Sequence, residues 1–110
     1  MKNGLLRQGD VMLVKVRSVP KGAKFREADK KRGVVLAEGE VTGHAHTLPS
    51  TTVKEYVVPA ELGDADRFIV VDKLSQLVHQ EHAAIDVTPG TYKVIRQREY
   101  SPVAIRNVAD

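Results

Sequence analysis

The four histidines of this 110-residue chain fall into two close pairs, and no histidine lies elsewhere. The first pair is His44 and His46 in the run GHAH, and the second is His79 and His82 in the run HQEH. Histidines two residues apart point to the same face of a β-strand, so the first two imidazoles can converge on one ion. The second pair converges only if residues 77–82 form a helix or a turn, because an extended strand would separate the rings.

The chemistry that this histidine cluster predicts is the binding of a divalent transition metal. The chain has no cysteine, so only nitrogen and oxygen ligands are available, and imidazole suits zinc, iron, nickel or copper. We predict Zn²⁺. Four converging imidazoles would form a closed structural site, whereas three would leave a position for water. Zinc lowers the pKa of such a water to about 7, which would permit hydrolase or lyase chemistry. The sequence leaves both arrangements open, and with them the question of whether the protein is an enzyme.

Polar residues near the histidines are candidates for supporting roles. Glu81 and Glu40 are the candidate general acid or base, with a solvated surface carboxylate as the competing interpretation for Glu81. Glu99 and Gln97 alternate to one face of the last predicted strand, and Glu99 could orient an imidazole from behind the metal ligands. These four residues complete the predicted site.

Positive charge is the second chemical feature of the sequence, which has a formal net charge of +3. Basic residues concentrate in one segment and recur on the last strand, at Lys21, Lys24, Arg26, Lys30, Lys31, Arg32, Arg96 and Arg98. This pattern predicts binding of an anion, nucleic acid or an acidic partner. The competing interpretations are a solvated basic loop for the first group and cross-strand ion pairs for Arg96 and Arg98.

Short apolar, β-branched runs separated by Gly, Pro and Asp dominate the chain, and they predict strands. The expected fold is a single all-β domain over residues 1–110, a small β-barrel or β-roll with at most one short helix. Residues 18–32 are expected to form an exposed basic loop. The predicted strands cover residues 10–17, 34–38, 41–48, 51–58, 68–71, 85–88 and 91–99.

Two segments carry more specific expectations. Residues 74–84 fit either one short helix or a brief strand followed by a turn. Pro89-Gly90 has the signature of a type II turn, which predicts a hairpin between residues 85–88 and 91–99.

The sequence also bears on location and assembly. The first residues carry no apolar run of signal-peptide length, and no stretch approaches the roughly 20 apolar residues of a membrane span. We therefore expect a cytoplasmic protein without membrane contact. Exposed edge strands of small β-proteins are often covered by association. A homo-oligomer is therefore expected, and the alternative to a metal protein is an assembly or nucleic-acid-binding module.

Three motifs resemble a family of small, uncharacterised bacterial and phage-associated proteins. They are GEVTGHAH at residues 39–46, HQEH at residues 79–82 and PGTYKVIRQREY at residues 89–100. The resemblance implies that these residues belong to one recurring unit, and it implies no particular activity. The HxH is also similar to the first metal motif of cupins, which implies a small β-barrel that binds metal through histidines.

Overall fold

The computed structural model describes residues 5–39, 41, 43–60 and 65–96. These residues contain no helix, which confirms the all-β prediction, and none of them forms a segment able to cross a membrane as a helix. The ten strands are β1 (Leu5–Gln8), β2 (Val11–Val16), β3 (Lys24–Arg26), β4 (Val34–Glu38), β5 (Ala45–Leu48), β6 (Val53–Val58), β7 (Asp66–Val71), β8 (Ser75–Leu77), β9 (Ile85–Val87) and β10 (Gly90–Arg96).

Six of these strands form one antiparallel sheet in the order β1-β2-β10-β7-β6-β3. Two further antiparallel pairs, β4–β5 and β8–β9, stand outside it. The large sheet is open, with β1 and β3 at its edges, so the barrel that the sequence also allowed does not form. A turn at Gly9-Asp10 joins β1 to β2.

The core lies where the two small strand pairs pack on the large sheet. Alternation along β2 buries Val11 and Leu13 completely, and they share one apolar cluster with Leu36 of β4, Leu77 of β8 and Tyr92 of β10. Side chains from all three sheets therefore exclude water together. The strand pairs that carry the histidines are fixed to the large sheet by this burial.

The predicted exposed segment, residues 18–32, is exposed but contains strand β3. The side chains of Lys24, Phe25 and Arg26 are all exposed, so the strand shows no apolar alternation in sequence. It pairs with β6, and the ring of Phe25 packs edge-on against Tyr56 with 5.8 Å between centroids. Backbone pairing and one aromatic contact hold this edge strand.

The prediction of a hairpin around Pro89-Gly90 is wrong. Strand β9 pairs with β8, whereas β10 pairs with β2 and β7, so the two segments belong to different sheets. Val87 and Tyr92 are both buried, and burying both side chains outweighs the local turn preference. The strand-and-turn interpretation of residues 74–84 is correct, with β8 followed by bends at residues 80–82.

Arg67 of β7 ties the large sheet to β4. Its Nε donates to Glu55 Oε2 at 2.5 Å, and its two terminal nitrogens donate to the carbonyls of Leu36 and Val35 at 2.6 and 2.8 Å. The Glu55 side chain is only 6% exposed. One guanidinium thus neutralises a buried carboxylate and satisfies two backbone acceptors of another sheet.

Replacing Arg67 with Met should lower the free energy of unfolding by about 3–5 kcal/mol, because the Glu55 charge would remain buried without its partner. Urea unfolding measures the loss. The double variant Arg67→Met/Glu55→Gln should recover part of it, and Arg17→Met, at an exposed arginine, is the matched control. A loss for Arg67→Met no larger than that of the control would contradict this role.

Candidate metal centre

The two histidine pairs are brought together by contacts between β5 and the end of β8. Thr47 and Val78 exchange two backbone hydrogen bonds, each of 3.0 Å. Gln80, between the histidines of the second pair, adds two side-chain bonds. Its Oε1 accepts from the Ala45 N–H at 2.9 Å, and its Nε2 donates to the Gly43 carbonyl at 3.3 Å. Four hydrogen bonds therefore join the segments that carry the imidazoles.

The four imidazoles lie in one cluster. Ring centroids are 4.3 Å apart for His46 and His79, 4.8 Å for His79 and His82, 5.7 Å for His46 and His82, and 5.9 Å for His44 and His79. Two imidazoles bound to one tetrahedral zinc have ring centres roughly 5 Å apart, given Zn–N bonds of about 2.0–2.1 Å. The bends at residues 80–82 supply the turn that convergence required. His44 lies just before β5 rather than within it.

Gln8 determines which nitrogen of His46 faces the cluster. His46 is 3% exposed, and its Nδ1 lies 2.8 Å from Gln8 Oε1. The Gln8 amide nitrogen donates to the carbonyls of Leu77 and Ala83, both at 2.9 Å, so the amide oxygen is the acceptor toward His46. His46 Nδ1 therefore carries a hydrogen, and in the neutral ring the lone pair lies on Nε2.

Asp10 faces that lone pair. His46 Nε2 and Asp10 Oδ1 are 3.4 Å apart, while Asp10 Oδ2 accepts from Arg96 Nε at 3.0 Å. Two acceptors at this separation repel each other unless a cation lies between them. Two ligands of a tetrahedral zinc are separated by about 3.4 Å when each bond is about 2.1 Å. Sequence reasoning missed both Asp10 and Gln8, since a turn residue next to glycine and an edge-strand glutamine carry no metal-site signature.

Glu81 lies beside two of the histidines. Its Oε2 is 3.1 Å from His44 Nδ1, but the two groups are not aligned for a hydrogen bond, and this buried nitrogen has no hydrogen-bond partner. The backbone N–H of Glu81 donates to His79 Nδ1 at 3.0 Å, so the neutral His79 ring carries its hydrogen on Nε2. Binding an ion through His79 Nε2 requires that proton to move and the Glu81 bond to break.

Within the described part of the chain, no three His, Asp or Glu side chains hold their donor atoms at one common point. The four rings are gathered, but their donor atoms do not surround one point.

Backbone approaches the cluster closely from two sides, at two glycines. Gly9 has φ of 58°, and a Cβ there would lie 2.8 Å from His82 Nε2. A Cβ on Gly39 would lie 3.1 Å from His79 Nε2. The β1–β2 turn and the end of β4 therefore form walls against which the imidazoles rest.

Burial lowers the pKa of two imidazoles, those of the buried His46 and the half-buried His79. It lowers the pKa of His46, and the neighbouring His79 lowers that pKa further. Burial likewise lowers the pKa of His79, with His82 as the next cause. Partial burial acts to raise the pKa of Asp10, but the hydrogen bond and charge of Arg96 outweigh it and the pKa is lowered. At pH 7 the two imidazoles are neutral and the carboxylate is charged, which is the state that metal ligation needs.

Of the other predicted site residues, some lie outside the described part of the chain and two arginines form ion pairs. Glu40, Gln97, Arg98 and Glu99 lie outside the described residues. Arg96 pairs with Asp10, and Arg32 pairs with Glu38 and Asp29.

In the part of the chain that the structure describes, the lysines of the basic segment make no ion pair, and these are Lys21, Lys24, Lys30 and Lys31. Arg26 has one carboxylate contact, 4.0 Å from Glu55. A nucleic-acid or acidic partner for these residues stays a prediction, as does the homo-oligomer.

Replacing Gln8 with Leu should destabilise the protein by about 3 kcal/mol or more, because the His46 Nδ1–H and the two carbonyls each lose a partner at about 1–3 kcal/mol. Gln76→Leu is the matched control, since this glutamine is exposed and makes one bond of 3.1 Å to Asp86. Urea unfolding compares the two variants, and equal losses would contradict the role of Gln8.

Stability of the metal-free protein should fall as the pH drops from 6.5 to 5.5. The pKa values of His46 and His79 are lowered in the fold from an ordinary 6.5, so the unfolded chain takes up protons first. The stabilisation is complete above pH 6.5 and is lost progressively below it. Urea midpoints at pH 7.5, 6.5 and 5.5 measure this, and His79→Gln should flatten the dependence. A midpoint that is constant or rises toward pH 5.5 would refute it.

Comparison with known proteins places the chain in a family. The family model described as a domain of unknown function, DUF8820, matches residues 7–97, a span that includes all four histidines, Gln8 and Asp10. No curated protein and no solved structure matches the chain. The predicted likeness to cupins stays a prediction, whereas membership of an uncharacterised family agrees with the resemblance seen in the sequence. The chain belongs to the DUF8820 family of domains of unknown function.

Proposed function

We propose that this protein binds one divalent transition metal ion, Zn²⁺, within the histidine cluster. The observation that carries the proposal is the orientation of His46, whose buried Nε2 is aimed by Gln8 at an Asp10 oxygen 3.4 Å away. A neutral imidazole facing a carboxylate in this way needs a positive charge between them. The unpartnered, buried Nδ1 of His44 is a second nitrogen that an ion would satisfy.

The candidate ligands outnumber the four coordination positions of a tetrahedral zinc. Four imidazoles and Asp10 are five candidate ligands for four positions, so one of them can be replaced by water without emptying the site. His82 is exposed and the Glu81 side chain is 56% exposed, so solvent reaches the cluster on this side.

Catalysis by a zinc-bound water, either hydrolysis or a lyase reaction, would take place at this exposed side. Zinc-bound water with a pKa of about 7 would supply the nucleophile or base. Glu81 is the candidate proton acceptor, since its carboxylate reaches into the cluster at His44 and remains in contact with water. Glu81 would act on the exposed side, while His46 and Asp10 would anchor the ion on the buried side.

Protein purified without a histidine tag should contain about one zinc per chain after zinc supplementation. His46→Ala should weaken zinc binding at least 100-fold, because it removes the buried anchor. Asp10→Asn should weaken it by a smaller factor, since its amide oxygen can still bind the ion. Calorimetric titration and elemental analysis measure both effects.

The four single histidine variants separate a closed site from an open one. Four comparable losses of affinity indicate a structural zinc, whereas retention of zinc by His82→Ala indicates that water can take the position of the exposed ring. Gln76→Leu serves as the folded control. Zinc content far below one per chain in the supplemented wild-type protein would refute the proposal.

A further inference from the structure

A cleft of about 450 Å³ is lined by residues of β4 and of the large sheet. It is lined by the ion pair of Glu55 and Arg67, by Arg26, Arg32 and Arg96, by the carboxylates of Glu27, Asp29 and Glu38, and by apolar residues of β4. This volume lies within the range of small-molecule sites, which is about 300–1,000 Å³. The cleft therefore has room for a small ligand.

Two of the four arginines hold the cleft together and have little capacity left for a ligand. Arg67 bonds Glu55 and two carbonyls. Arg32 binds both oxygens of Glu38, at 3.1 and 3.2 Å, and lies 3.6 Å from Asp29. These two guanidinium groups are neutralised by carboxylates of the protein itself.

The other two arginines remain available to a ligand. Arg26 is 60% exposed, and its carboxylate contact with Glu55 is a long 4.0 Å. Arg96 uses its Nε for Asp10 and its Nη2 for the Glu38 carbonyl, both at 3.0 Å, while its Nη1 makes no hydrogen bond with the described residues. An arginine has five N–H donors, so both side chains can bind an incoming oxyanion.

Arg96 also joins the cleft to the metal centre. It lines the cleft and holds Asp10 Oδ2, while the other oxygen of Asp10 lies 3.4 Å from His46 Nε2. Glu38, another residue of the cleft, directly precedes Gly39, which forms a wall of the histidine cluster. A ligand held by Arg96 is therefore adjacent to the ion that the cluster would bind.

We propose that this cleft is the substrate site of the metal centre and that it binds a small molecule through a carboxylate or phosphate group held by Arg96, with Arg26 as a second cation lining the cleft. Its role as a substrate site rests on the proposed metal function, whereas oxyanion binding rests on the arginines alone. The anionic group lies against the guanidinium groups, and the rest of the molecule occupies the cleft.

Titration of metal-free and zinc-loaded protein with inorganic phosphate and with succinate, followed by NMR of backbone and arginine side-chain signals, tests the inference. At least one anion should bind saturably to the wild-type protein in both metal states. Phosphate binding alone assigns the site to phosphate groups, and succinate binding alone assigns it to carboxylates. Absence of saturable binding of either anion to the metal-free protein overturns the proposal, even if zinc binds.

Variants localise the binding. Arg96→Met should weaken the anion at least 10-fold and Arg26→Met by a smaller factor, while Arg96→Lys should retain part of the affinity because it keeps the charge but loses the planar fork. Arg17→Met, which removes the same charge outside the cleft, should have no effect.

His46→Ala should lose zinc and keep the anion, which separates failure of the metal proposal from failure of this one. Arg96→Met and Arg26→Met both binding as wild type, or Arg17→Met losing as much affinity as they do, would overturn it.

Discussion

The carboxamide of Gln8 is the interaction on which the candidate site depends. Its amide nitrogen is shared by the carbonyls of Leu77 and Ala83, which bracket the segment carrying the second histidine pair, and its oxygen holds His46 of the first pair. Buried polar groups without partners are costly, so this one side chain fixes three groups that would otherwise destabilise the core. The last residue of β1, an edge strand of the large sheet, therefore holds both histidine-bearing segments in place.

The residues of the candidate site come from both the large sheet and the two strand pairs. The large sheet supplies the turn with Gly9 and Asp10 and the end of β10 with Arg96, whereas the strand pairs supply the histidines. None of the three sheets contains the site alone. Shared burial of residues such as Leu13, Leu36 and Leu77 holds these parts in one arrangement, and the guanidinium of Arg67 adds polar bonds between two of them.

Many of the strands and the histidine cluster could be predicted from the sequence because both depend on local patterns. Short apolar, β-branched runs identified β2 and β6, and the spacing of His79 and His82 tied the approach of their rings to a helix or a turn, of which the bends at residues 80–82 supply the turn. Asp10 and Gln8 escaped prediction because their roles come from residues distant in the chain. The Pro89-Gly90 hairpin failed for a related reason, since a local turn preference cannot reveal that Val87 and Tyr92 are buried in different sheets.

The large sequence separation of the Gln8 contacts determines the stage of folding at which the site forms. The bonds from Gln8 to Leu77 and Ala83 join residues 69 and 75 positions apart, so a partly folded chain that lacks this closure leaves the His46 ring without the group that orients it. Contacts of such sequence separation are entropically expensive and form slowly. An ion that needs the assembled cluster therefore recognises only the finished fold. Occupancy by the proposed ion would then distinguish chains in which Gln8 has reached Leu77 and Ala83 from chains in which it has not.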